Sequence, residues 1–327
     1  MTTPELLHTY DAATNPKGML RHLTPLIGYP GVVASNTTLI ANFFRRDLLG
    51  RFRGSFLGLF WVLVQPIFLF AIYFMVFGFL FAPKGQTGAA SVEFAIYLFG
   101  GIIAFSSFSE STTRSCNTVL ENGNLVKKVR FPCELLPISN ILVALIVYAV
   151  GAVVLLCVGL SLGQITVGAH MLALPLVALV HFTMCLGVGL LLATLQVLVR
   201  DTVHLYTIAQ QAWFFLSPVF WPYSMIQGKL LDYGLGQWSW LIEFNPLYGL
   251  VQSHRQALGF GHDHIQMHRY VMTPAGEHVP MVDGHHVVES LPGLWYHLGL
   301  ASAWSLLFLL IGYSFFMSRK NKFSDLV

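Results

Sequence analysis

The apolar positions of this chain gather into six stretches, 56–82, 94–113, 137–162, 171–199, 203–221 and 294–317. A membrane-crossing helix needs roughly 20 mostly apolar residues, so each stretch predicts a transmembrane span. Ahead of the first, residues 30–53 alternate with helical period. Val32, Val33, Leu39, Ile40, Phe43 and Phe44 fall broadly on one face, against Ser35, Asn36, Asn42, Arg45 and Arg46. This predicts an amphipathic helix lying in the membrane interface with its arginines towards anionic headgroups, although a helix packed on a soluble partner has the same pattern. Gly50 and Gly54 then permit a turn into the first span.

The stretch 222–292 is the longest between spans, and its character changes partway. As far as Gly261 it stays rich in Trp, Leu and Tyr, but Asn245-Pro246 interrupts it and no part is long enough to cross. Two short re-entrant or interfacial helices are expected there. From His262 to Pro292 it turns polar and carries six histidines, which reads as an exposed loop or a small hairpin. Residues 116–134 form a short basic segment between the second and third spans. Val119, Leu120, Leu125, Val126, Val129 and Phe131 make it more apolar than a solvated turn requires, which predicts a short helix that docks into a partner. The expected fold class is therefore an all-α integral membrane protein of six transmembrane helices with an N-terminal interface helix.

Composition agrees. Of 327 residues 55% are hydrophobic and 10% charged, against about 25% charged in a soluble domain. The first 20 residues lack an apolar signal core, so the first span is expected to direct insertion. Basic residues set the orientation. Lys17, Arg21, Arg45, Arg46, Arg51 and Arg53 precede span one; Lys127, Lys128 and Arg130 follow span two; Arg200 follows span four; Arg319, Lys320 and Lys322 follow span six. The opposite side keeps Lys84, Lys229, Arg255 and Arg269. Both termini are thus expected in the cytoplasm, and the net charge of +3 reflects topology rather than nucleic-acid binding. Cys116, Cys133, Cys157 and Cys185 have neither metal-ligand spacing nor an oxidising setting, so no disulfide or zinc site is expected.

No GxxxxGK[ST] phosphate loop occurs, so ATP binding and hydrolysis are not expected of this chain. Nor is there a run of acids inside the spans to mark an ion pathway. Glu110 and Arg114 stand four residues apart near the end of span two, where a local pair is expected to brace the helix. His181 in span four reads as a hydrogen-bonded packing residue. His262, His264 and His268 suggest a metal site only weakly, without HExxH, a Cys partner or a GxSxG nucleophile. Aromatic residues make up 14% of the chain. Each is by default a lipid-facing or belt residue, but sugars stack on aromatic rings, and Phe105, Phe108, Tyr206, Trp213, Phe214 and Phe215 are candidates for lining a glycan path.

Four segments in order carry a resemblance. Arg51-x-Arg53-Gly54-Ser55-x-Leu57-Gly58-x-x-Trp61, with Pro66 beyond it, leads into span one. Asn124-Leu125-x-Lys127-Lys128-x-x-Phe131-Pro132 precedes span three; Ser217-Pro218-Val219 leads to Trp221-Pro222 after span five; Asn245-Pro246-Leu247 is followed by Arg255. Together they resemble the permease subunit of polysaccharide-exporting ABC transporters, the ABC-2 group that moves O-antigen, capsule or teichoic acid chains. The resemblance implies a homodimeric channel in the bacterial inner membrane for a lipid-linked polysaccharide, driven by two copies of a separate ATPase subunit that holds ATP and Mg. This chain would carry no cofactor or catalytic residue of its own.

It further implies an interface helix within residues 1–55 and a transmembrane domain over 56–318, followed by a cytoplasmic tail, 319–327. Residues 117–130 become a coupling helix, with Asn124, Leu125, Lys127, Lys128, Arg130, Phe131 and Pro132 at the ATPase contact. Residues 223–250 become periplasmic gate helices, with Trp221, Pro222, Asn245, Pro246 and Arg255 at the gate. The histidine-rich stretch 262–292 departs from the family pattern and has no role there. Two other readings remain open: an ABC-2 permease for another cargo, and a metal-dependent membrane enzyme using the external histidines.

Overall fold

The computed structural model describes residues 23–51, 53–76, 88–128, 132–165, 167–223, 226, 230, 233–260, 270–272, 278–280 and 293–327. The single interface helix expected from residue 30 is two helices, α1 (Leu23–Ser35) and α2 (Thr37–Arg51). The break falls at Asn36, whose side-chain amide donates to the Val32 carbonyl at 2.8 Å and competes with the helical ladder. Beyond α2 the chain turns at Gly54 (φ 81) and Gly58 (φ 52), a region glycine enters without a Cβ penalty. Gly50, expected to share that role, stays within α2.

A 3-10 turn, Gly58–Phe60, leads into α3 (Trp61–Tyr73), which carries the buried Pro66. The long α4 (Gly88–Glu121) is followed by the short α5 (Gly123–Lys128), then α6 (Leu136–Ser161) and α7 (Leu174–Leu198). Next come α8 (Thr202–Leu216), a single turn at Trp240–Glu243, and α9 (Pro246–Ala257). Two short strands, β1 (Tyr270–Met272) and β2 (His278–Pro280), pair antiparallel with Val271 opposite Val279. This hairpin lies in the histidine-rich stretch and is the one departure from helix among the described elements. The chain closes with α10 (Leu294–Arg319) and a last turn, Phe323–Leu326.

Among the described residues, five segments are long and apolar enough to cross a membrane: Gly58–Val76, Val92–Glu121, Cys133–Ser161, Ala169–Leu198 and Leu294–Lys322. The sixth expected span, 203–221, is helical only through the 15 residues of α8, about 22 Å at 1.5 Å per residue. It stops because Ser217, extended at ψ 147, precedes Pro218, which disfavours helical geometry in the residue before it. Conversely, α4 runs 34 residues, roughly 51 Å, and continues past the expected end of span two. Cys116 and Val119, assigned from sequence to a loop, are buried on this extension.

The bundle is built on close backbone approach. Methyl groups added at Gly187 of α7 or Gly312 of α10 would strike the backbone of the facing helix, so these two helices cross in contact. Small residues allow such crossings where lipid offers no hydrophobic drive for association. Helix α9 is too short to span at about 18 Å, yet every residue from Leu247 to Ala257 is buried among α4, α7 and α10. Helices α3 and α8 instead leave apolar faces exposed, among them Phe68 and Met75 on the first segment and Leu205, Ile208 and Phe215 on α8.

Candidate functional site

The sequence motifs fold into two clusters, one at each end of the bundle. At the first, the Arg51 to Trp61 segment is a closed turn. The Trp61 indole N–H donates to Ser55 Oγ at 2.8 Å across the positive-φ Gly58, while Arg53, Leu57 and Trp61 stay exposed. Arg51 reaches a different helix: its Nη1 lies 2.6 Å from Glu110 of α4, and Arg114 approaches the same carboxylate at 3.0 Å. The local Glu110–Arg114 pair read from spacing is present. Its third member, which ties the lead-in turn to α4, was not legible.

Of residues 117–130, expected as a coupling helix, 123–128 form α5 and 117–121 belong to α4. Asn124 and Lys127 are exposed and Leu125 half-buried, whereas Arg130, Phe131 and the Lys128 side chain lie outside the described residues. Pro132 sits just ahead of the 3-10 turn that starts Cys133–Ser161. Around α5 three other segments converge. Arg46 donates to Asn122 Oδ1 at 3.2 Å, and the Ser139 hydroxyl donates to Asp47 at 2.6 Å. Lys320 pairs with the buried Glu134 at 2.6 Å, and the Tyr29 hydroxyl donates to the Glu134 carbonyl at 3.0 Å. Val327 packs on Gly123, where a methyl group would collide with it. The tail and both N-terminal helices thus grip the loop that carries α5.

At the other end, Asn245 and Arg255 organise the chain. Asn245 caps α9, accepting from the Leu247 N–H at 3.1 Å and from the Trp213 indole at 2.9 Å. Its amide donates to the Leu216 carbonyl and to Ser217 Oγ, so α9 is stapled to the end of α8. The sequence counted Arg255 among the charges of the long stretch 222–292 on the non-cytoplasmic side; it is fully buried. Its guanidinium donates to the carbonyls of Tyr97 at 3.2 Å, Pro218 at 2.7 Å and Val219, and to Gln252 Oε1 at 2.9 Å. The Tyr97 ring lies 3.5 Å from the guanidinium carbon. Gly101 makes the room, since a methyl group there would strike the guanidinium. The Ser217-Pro218-Val219 and Asn245-Pro246 motifs are therefore two halves of one joint. Trp221 anchors the same turn, donating from its indole to the Phe215 carbonyl at 3.0 Å, with Pro222 buried behind it.

Glu243 closes this end, accepting from the hydroxyls of Tyr223 at 2.7 Å and Tyr296 at 2.8 Å. Burial, with the Glu243 hydrogen bond second, pushes the Tyr223 phenol well above its ordinary range, which keeps it a donor. Between the two ends runs a buried chain, Tyr148 hydroxyl to His254 Nδ1 at 2.6 Å and His254 Nε2 to His181 Nδ1 at 2.8 Å. His181 is hydrogen-bonded as expected, and its partner is a histidine of α9.

The six candidate lining aromatics divide. Phe105 and Phe108 are buried, edge-on to Phe214 at 4.9 Å and Trp213 at 5.6 Å. Tyr206 meets Thr112 at 2.8 Å and Gln210 at 3.2 Å. Phe215, at 63% exposure, points outward. No cluster of three potential metal ligands occurs among the described residues, and the loop holding His262, His264 and His268 lies outside them.

Comparison with known proteins matches this architecture to one family. The ABC-2 type transporter family matches residues 38–258. The chain is 28% identical over 244 residues to the O-antigen export system permease protein RfbA of Myxococcus xanthus, covering 75% of this chain and 86% of that protein. It is 24% identical over 210 residues to the RfbA of Klebsiella pneumoniae, covering 64% and 76%. It is 25% identical over 232 residues to the polysialic acid transport protein KpsM of Escherichia coli, covering 70% and 83%. The chain belongs to the ABC-2 type transporter family, as an integral membrane subunit.

Proposed function

We propose that this chain forms, as a homodimer in the bacterial inner membrane, the channel through which a lipid-linked polysaccharide of the O-antigen or capsule type leaves the cytoplasm. Similarity over 64% to 75% of the chain to permeases named for O-antigen and polysialic acid transport carries the reading. Two copies of a separate ATPase bind ATP and Mg and press on α5. The loop that holds α5 is gripped by α2 and the tail, so displacement passes to the bundle. Arg51 hands it on to α4 through Glu110. Both termini lie in the cytoplasm, with α8 and the segment to Trp221 completing a sixth crossing. At the periplasmic end, the joint of Asn245 and Arg255 with the Ser217 to Val219 turn gates the exit. The exposed faces of α3 and α8 meet the second copy, and Phe215 and Leu216 contribute to the path.

The test is reconstitution with an ABC ATPase of the same organism. Co-purification of two ATPase copies per permease dimer is expected, with loss of surface polysaccharide in a deletion strain and rescue by the intact pair. A stable chain that neither binds that ATPase nor restores the polysaccharide overturns the reading.

A further inference from the structure

An open apolar groove of about 350 Å³ lies between the N-terminal helices and the flank of the bundle, walled by Val33, Ile40 and Phe44 on one side and Ile138, Leu142 and Phe182 on the other. It is a fixed cleft, because the Ser139 hydroxyl ties α6 to Asp47 of α2 at 2.6 Å beside it. It also has depth. Ile138 and Leu142 lie in the first two turns of α6, whereas Phe182 stands about 10 Å further along α7 from Gly189, the residue that faces Pro137. The groove thus starts near one end of the candidate span Cys133–Ser161 and runs inward, with length for part of an acyl chain. Its volume is at the lower end of sites for small ligands, roughly 300 to 1,000 Å³.

Thr37 and Ala41 also line the groove, and Arg45 continues their row at four-residue spacing on the same face of α2. Its neighbour Arg46 is engaged with Asp47, Asn122 and the Phe43 ring. Arg45 is exposed and has no ion pair among the described residues. A lipid tail gains nothing from leaving other tails for an apolar groove, since both surroundings are equally apolar. Selection must therefore come from the headgroup; Asp47 beside the groove is paired with Arg46, so Arg45 leaves that end with a surplus positive charge. We propose that this groove is a binding site for an anionic phospholipid of the surrounding bilayer, one acyl chain between α2 and α6 and its phosphate on Arg45.

Photolabelling of the full chain tests this, in phosphatidylcholine vesicles doped with either a phosphatidylglycerol or a phosphatidylcholine bearing an acyl-chain diazirine. The phosphatidylglycerol probe is expected to label peptides containing Ile40 to Phe44 and Ile138 to Leu142 several-fold more than the phosphatidylcholine probe. Arg45→Gln should abolish that preference, and Ala41→Trp, which fills the groove, should reduce labelling by both probes. Leu142→Trp fills it from the other wall and serves if the first variant is not monodisperse. Equal labelling by the two probes, or labelling that survives both tryptophans, overturns the proposal. So does competition by a polyprenyl diphosphate but not by unlabelled phosphatidylglycerol. None of these readings depends on transport, so failure here leaves the export reading untouched.

Discussion

Arg255 is a cation buried without an acidic partner among the described residues, solvated instead by three carbonyl oxygens, a glutamine and a tyrosine ring. Hydrogen bonds to a charged group contribute about 1.5 to 3 kcal/mol each, and carbonyls left unsatisfied in a buried site carry a further penalty. Arg255→Met should therefore destabilise the chain by about 3 kcal/mol or more, read as a lowered thermal midpoint in detergent. Arg255→Lys should recover little, because an ammonium lacks the planar fork that reaches Tyr97 on one side and the Pro218 to Val219 turn on the other. The small partner matters as much as the large one. Gly101→Ala sets a methyl group against the guanidinium and the Val219 carbonyl, an overpacking of about 1 to 3 kcal/mol, and should lower the same midpoint. Sequence marked Arg255 and the Ser217-Pro218-Val219 turn as separate motifs. That they form one joint depends on a tertiary contact that no spacing encodes, although the Gly100-Gly101 pair inside an apolar helix was a sign of close backbone approach.

At the scale of elements, what was legible follows from hydrophobic length, and what was not follows from partners. The spans that became α6, α7 and α10 begin and end within about three residues of the expected bounds, since the bilayer imposes a helix on any apolar run of that length. Helix α9 escaped this logic. It is short and polar, with a serine, two glutamines, a histidine and an arginine buried in sequence, and only the surrounding helices make such a segment an interior one. Glu110 shows the same limit at an ion pair. Spacing gave Arg114 as its partner, but Arg51 approaches more closely, from a turn 59 positions away in the chain. If this contact fastens α2 to α4, Glu110→Gln should free the turn while leaving α4 intact. A nitroxide at the exposed Phe56 should then show increased mobility, and limited proteolysis should cut between Arg51 and Trp61 sooner. The pair is partly exposed, so the accompanying loss of stability should stay within about 1 kcal/mol.

At the scale of the whole molecule, the grip on α5 predicts a separation of hydrolysis from transport. Lys320 and Glu134 join the last helix to the start of α6, and Val327 rests on the first residue of α5. None of these groups lies on the exposed side of α5 that carries Asn124 and Lys127, the side proposed above to meet the ATPase. Lys320→Met removes the cation beside a buried carboxylate, which loosens the seat of α5 without altering the docking surface. A seat of this kind does for α5 what a bearing does for a lever: the ATPase still binds and turns over, but less of its displacement reaches the spans. Substitutions in such connecting networks shift coupling by about 0.5 to 2 kcal/mol, or roughly 2- to 30-fold. The variant complex should therefore keep its ATPase copies and hydrolyse ATP at close to the native rate, while polysaccharide export falls by a factor in that range. Measuring both rates on one reconstituted preparation decides the matter. Equal losses in hydrolysis and export would assign Lys320 to ATPase docking, and no loss in either would show that the tail grips nothing that moves.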